Sequence, residues 1–122
     1  MSEKLDRNGY GSLKILEVRK ANELDRNGYA PSILEAFDFC AVCYRKGPLQ
    51  RHEVIHGAFR DRSKKFGLWV NVCPECHNKI HFTDGKLDRL LKEHAQRQAM
   101  LVYGWSTDEW RRHFGKNYIK EV

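Results

Sequence analysis

Two short cysteine pairs limit what this chain can become. Cys40-x-x-Cys43 and Cys73-x-x-Cys76 bracket residues 44–72, and they account for all four cysteines of the 122-residue sequence. Four thiolates in two C-x-x-C pairs suit a tetrahedral structural Zn²⁺, a closed site that crosslinks a fold and leaves no coordination position for chemistry. The opening residues MSEKLDRNGY are charged, without a short apolar segment and a small-residue cleavage site, and no apolar run reaches membrane length. The sequence is therefore read as cytoplasmic, with no membrane partner, and a reducing compartment favours metal ligation over disulfides. At 122 residues and a mean hydropathy of -0.70, a single domain with a modest apolar interior is expected, and a metal crosslink would help to hold it.

The stretch CPECHNKIH, residues 73–81, places two cysteines and two histidines close together. Three readings compete. Cys73-Pro-Glu-Cys76-His77 matches the C-x-x-C-H haem attachment signature, but covalent haem goes with export and would leave Cys40 and Cys43 unexplained. A single two-cysteine, two-histidine site fails on geometry, because such fingers separate the pairs by about 12 residues. Adjacent helical residues such as Cys76 and His77 diverge by about 100° and can hardly reach one ion. Two sites use every ligand: Cys40, Cys43, Cys73 and Cys76 hold structural zinc, while His77 and His81, one helical turn apart, face a second divalent ion. His52 completes that cluster if the strands and the helix fold back on themselves.

Periodicity and punctuation give a coarse layout. LDRNGY occurs at residues 5–10 and again at 24–29, so residues 1–30 are read as an arm and 31–122 as the functional domain. Leu13, Leu16, Ala21 and Leu24 could line a helical face between the two copies. Pro31 and Ser32 are helix-start residues before a short apolar turn. LQRHEVIHG and FGLWVNVC suit two short strands joined by the basic loop AFRDRSKK, and a helix follows from Pro74. Leu87, Leu90, Leu91, His94, Gln98, Leu101 and Val102 recur at helical spacing between an Asp84 cap and a Gly104 stop. Ser106 and Glu109 form a capping box, and Gly115 ends the last helix. Trp105, Trp110 and Phe114 read as packing aromatics.

With the knuckle, two strands, the helix and the histidines in view, QRHEV…G, FGLWVNVCPECH and AQRQAMLVYGW…FGKNY resemble the small HNH endonucleases of phages and prophages, over roughly residues 31–119. That resemblance implies an α+β fold: a ββα-metal (His-Me finger) core inside a four-cysteine zinc knuckle, flanked by helices. It implies a metal-dependent endonuclease hydrolysing DNA phosphodiester bonds to 5′-phosphate and 3′-hydroxyl ends. His52 would be the general base, and His77 and His81 would hold a divalent ion such as Mg²⁺, Mn²⁺ or Ni²⁺. Glu53 is a candidate further ligand, provided that the strand twists or bulges there. The sequence departs from the family at Arg51, where many members carry Asp or His, and at Leu68, where the base-orienting Asn usually stands. His52 as a metal ligand with His56 as the base is the alternative, since four positions along a strand return to one face. Otherwise His56, His94 and His113 are read as solvent-facing or packing residues, and Asn71 as directed elsewhere.

The formal net charge of +6 favours a polyanionic partner. Arg51, Arg60, Arg62, Lys64 and Lys65 are expected to clamp DNA phosphates, in a salt-dependent way and with little sequence information. The rival reading is a non-catalytic zinc-binding module that uses the same basic surface on nucleic acid or a protein.

Overall fold

The computed structural model describes residues 24–119. The first LDRNGY copy and the expected helical face at Leu13, Leu16 and Ala21 lie outside those residues. Strand β1 (Gln50–Glu53) pairs antiparallel with β2 (Trp69–Val72), His52 opposite Val70 and Glu53 opposite Trp69. Helices α1 (Arg60–Lys65), α2 (Pro74–Phe82), α3 (Gly85–Tyr103) and α4 (Thr107–Phe114) complete a small α+β fold. Among the described residues, no helix is long and apolar enough to cross a membrane.

The connection expected as a loop between the strands is instead a single 3₁₀ turn, Gly57–Phe59, running into α1. RDRSKK contains no glycine or proline to break it, and Ser63 anchors it. The buried Ser63 hydroxyl donates to the Ile55 carbonyl at 2.6 Å and accepts the Ile55 N–H at 3.1 Å. Both backbone groups leaving β1 are thereby satisfied within the core, as burial requires.

No helix forms at Pro31 and Ser32. The Ser32 hydroxyl donates to the Trp69 carbonyl at 2.6 Å and accepts the Leu34 N–H, while Ile33 N–H bonds the Gly67 carbonyl, so the segment lies along β2. Glu35 at φ 63° then turns the chain toward the first cysteine pair. The residues just before Pro31 share this packing. Ala30 is buried, its carbonyl accepts the Trp69 indole N–H at 2.8 Å, and the Tyr29 ring meets Trp69 edge-on. The second LDRNGY copy thus contributes contacts to the sheet.

Proline at the first turn and Cys73 as cap open α2. Asp84 caps α3 and Gly104 at φ 69° ends it, and the Ser106–Glu109 capping box opens α4, as the sequence signals. The buried side of α3 follows the expected leucine face only in part, with Leu87, Leu91 and Val102 packed against the core. Ala95, Gln96 and Ala99 are buried, whereas Leu90 and Leu101 are 53% and 75% exposed. Small alanines bring α3 close to the core, and Gln96 bonds Asn117 and the Tyr118 N–H. The inward side is therefore rotated by roughly a quarter turn from the leucine stripe. Val54, Ile55, Leu68, Val72, Trp110 and Phe114 form the centre of the core.

Gly67 has the least room of the described glycines. Its φ is 75°, and a Cβ there would collide with the Pro31 carbonyl oxygen. Gly67→Ala should therefore destabilise the protein by about 2 kcal/mol or more in urea unfolding, beyond the entropic benefit usually given by losing a glycine.

Candidate metal centres

The four cysteines converge. Cys40 and Cys43 lie on the turn before β1, Cys73 follows β2 as the cap of α2, and Cys76 is in the first turn of α2. One sulfur from each lies within 4.8 Å of the others, and the Cys43 and Cys73 sulfurs are 3.9 Å apart. A tetrahedral ion with bonds of about 2.3 Å separates its sulfurs by roughly 3.8 Å. All four are free thiols. The N–H groups of Val42 and Cys43 donate to Cys40 Sγ, and that of Cys76 donates to Cys73 Sγ, each at 3.4 Å. Burial opposes ionisation of Cys40, but N–H groups of Cys43, Cys73 and Val42 outweigh it and hold this thiol down at about 6. Burial, then bonds from the neighbouring thiols and the charge of Cys40, pushes Cys76 up to about 12. Negative charge concentrated in so small a volume is what a divalent cation relieves. The cluster is arranged to hold a structural metal such as zinc.

Three histidines form a second group with a different character. His52 from β1 meets His77 and His81 from α2, one ring nitrogen of each lying within 4.8 Å of the others. Ring centroids are 5.2 Å (His52–His77), 5.1 Å (His52–His81) and 4.8 Å (His77–His81) apart. The Nε2 atoms of His77 and His81 are separated by 3.2 Å. Two imidazoles on one ion at about 2.1 Å have nitrogens roughly 3.0–3.4 Å apart, so the pair fits a shared cation. His77 Nδ1 sits 2.6 Å from Gln50 Oε1, a contact that makes Nδ1 the donor and leaves the Nε2 lone pair facing the cluster.

His52 is the most telling member. It is 0% exposed, and neither ring nitrogen has a hydrogen-bond partner. Buried polar atoms are rarely left so. Burial first, then the neighbouring His77, His81 and His56, drives its pKa down to about 3, so the ring is a neutral donor near pH 7. Burial, and next the companion histidines, also lower His77 and His81 from their ordinary value. His81 is exposed, so this group opens to solvent on one side, as the sulfur cluster does at Cys43.

Glu53 is not brought into this group. The strand pairing is regular, so Glu53 faces opposite to His52, accepting from the Tyr29 hydroxyl and, at 3.1 Å, from Arg60 Nε. His56, read from sequence as solvent-facing or packing, lies instead beside the cluster. Its ring is 5.0 Å from His81 and 5.9 Å from His52, and its Nε2 is 3.0 Å from Asp88 Oδ1 on α3. Asp88 also holds Lys92 at 2.9 Å. Burial works against the Asp88 charge, but the Lys92 and His56 bonds prevail and lower its pKa. Nothing in the sequence marked Asp88, because the contact depends on how α3 packs against the end of β1. His113 stacks on Trp105 at 4.2 Å and His94 is exposed, as expected; Asn71 turns away to the Phe37 carbonyl at 2.8 Å.

The five cations expected to clamp phosphate all have partners within the chain. Arg51 pairs with Asp25 at 2.9 Å and lies over Tyr29 and Trp69; Arg60 pairs with Glu53. Arg62 donates to the His113 carbonyl, Lys64 lies over the Tyr29 ring, and Lys65 over Phe66. Arg51, Arg60, Arg62 and Lys65 stay exposed and present charge outward.

The chain matches no protein-family model, no curated protein and no solved structure.

Elemental analysis should find one ion resistant to mild chelation and a second that leaves readily. Cys43→Ser should lose the resistant ion and lower the unfolding midpoint, whereas His81→Ala should lose only the labile one. Protons compete for the imidazole lone pairs, so labile-ion affinity should be level above pH 6.5, the ordinary histidine value, and fall as pH is lowered beneath it.

Proposed function

We propose that the protein is a metal-dependent endonuclease of the HNH type, hydrolysing phosphodiester bonds in DNA from the three-histidine site. The observation that carries this reading is His52: a fully buried imidazole with two unpartnered nitrogens, converging with His77 and His81. The antiparallel pair β1 and β2, followed directly by α2 with its histidines, agrees with a ββα-metal arrangement, and the sulfur cluster agrees with its zinc knuckle. His52, His77 and His81 would hold a divalent cation, which would supply Lewis-acid stabilisation of the phosphate and the leaving oxygen. Imidazole donors suit Ni²⁺-like ions better than Mg²⁺, which prefers oxygen.

Its complete burial supports His52 as the third ligand rather than the base. His56 is better disposed to take the proton from an attacking water. With Nε2–H donating to Asp88, its Nδ1 keeps a free lone pair, and the Asp88 carboxylate stabilises the imidazolium that forms. Gln50 holds His77 in the tautomer that ligates. Exposed Arg60, Arg62 and Lys65 lie on α1 and would attract the phosphate backbone.

Plasmid nicking and hydrolysis of bis(4-nitrophenyl) phosphate, each with Ni²⁺, Mn²⁺ or Mg²⁺, test the proposal. Ni²⁺ should exceed Mg²⁺, and His81→Ala should abolish turnover. His56→Ala should lower kcat by about 10²–10⁴-fold while the labile ion is retained. Turnover equal to wild type in both variants would leave the non-catalytic zinc module as the better account.

A further inference from the structure

Phe82 is the last residue of α2 and is 78% exposed, the most exposed large hydrophobic side chain among the described residues. A lone exposed apolar residue needs no explanation. The position of this one does. Its ring centroid is 6.0 Å from that of His81, the solvent-facing member of the histidine cluster, and it takes no part in the apolar core. A flat apolar face therefore stands at the open edge of the proposed cation site. Lys79, one turn earlier on the same helix, and Lys86, at the start of α3, are both exposed near it in sequence. Of the carboxylates near it in sequence, Asp84 accepts the Leu87 N–H at 2.9 Å and Asp88 is held by His56 and Lys92.

A phosphate drawn to the imidazole cluster carries its own nucleoside with it, and an aromatic face beside that phosphate suits a base. Bases inside a duplex are stacked on each other and offer no free face unless extruded. Aromatic side chains that accept unpaired bases do so with little sequence preference and alongside backbone-tracking cations.

We propose that Phe82 stacks on the base next to the phosphate held at the histidines, so that the ligand of this site is a DNA strand with an unpaired base at that point. This rests on the endonuclease reading and names its substrate class. Phe82 acts here as a substrate-positioning residue.

The test is binding of the full zinc-loaded chain, with Ni²⁺ present, to labelled single strands of equal length, one oligodeoxythymidylate and one abasic, both with cleavage-resistant phosphorothioate linkages. Wild type should prefer the thymidylate strand by about tenfold, Phe82→Ala should erase that preference without weakening abasic binding, and Phe82→Trp should keep it. Because the side chain is exposed, the alanine variant is expected to fold. A preference that is absent in wild type, or that survives in Phe82→Ala, overturns the proposal. Hydrolysis of bis(4-nitrophenyl) phosphate in the same samples reads the cation chemistry without a nucleobase. Hydrolysis together with base-blind binding overturns the stacking role alone; base-selective, Phe82-dependent binding without hydrolysis overturns the enzymatic reading alone.

Discussion

The convergence of four sulfurs is the constraint on which the rest of this structure depends. Cys40 and Cys43 precede β1, and Cys73 and Cys76 span the junction of β2 and α2, so one cluster ties the chain entering the antiparallel pair to the chain leaving it, at the end where Gln50 meets Val72. A sheet of only two short strands is marginal in water without such support. The cluster supplies it at the point where the chain leaves β2 and turns into helix. From there the direction of α2 is set, and with it the placement of His77 and His81 under the buried ring of His52. The Arg45–Glu75 ion pair crosses the same junction on the exposed side, where such a pair adds little.

The two groups of ligands separate by chemistry as well as by position. Sulfur is buried at three of its four positions, fixed by backbone N–H groups at Cys40 and Cys73, and suited to a permanent ion. Imidazole is open on the His81 side and held by Gln50, which suits an ion that exchanges. His52 explains why the second group is more than three histidines that happen to be neighbours. An unsatisfied buried polar group costs about 1–3 kcal/mol, and a fold pays this rarely without a reason. A ligand that accepts its lone pair is such a reason.

Much of this was legible in the sequence, because the signals were local. The two C-x-x-C pairs, the i, i+4 histidines, the Asp84 and Ser106 caps and the glycine stops each depend on a few neighbouring residues, and both strands lie where branched and aromatic residues predict them. What failed depended on packing across the fold. Ser32 looked like a helix cap, but its hydroxyl is taken by the Trp69 carbonyl. The leucines of α3 suggested one face, but Ala95 and Ala99 allow closer approach on another. The His56–Asp88 contact joins residues far apart in sequence, and no spacing rule reaches it.

Cys76 and His77 are consecutive on α2 and serve different clusters, one on each side of the same helical turn. Neither ring of donors can shift without dragging the other, because a rigid rod of backbone hydrogen bonds links them. Whatever fixes the first turn of α2 at the sulfurs thereby also aims the imidazoles, and the two clusters share one mechanical frame.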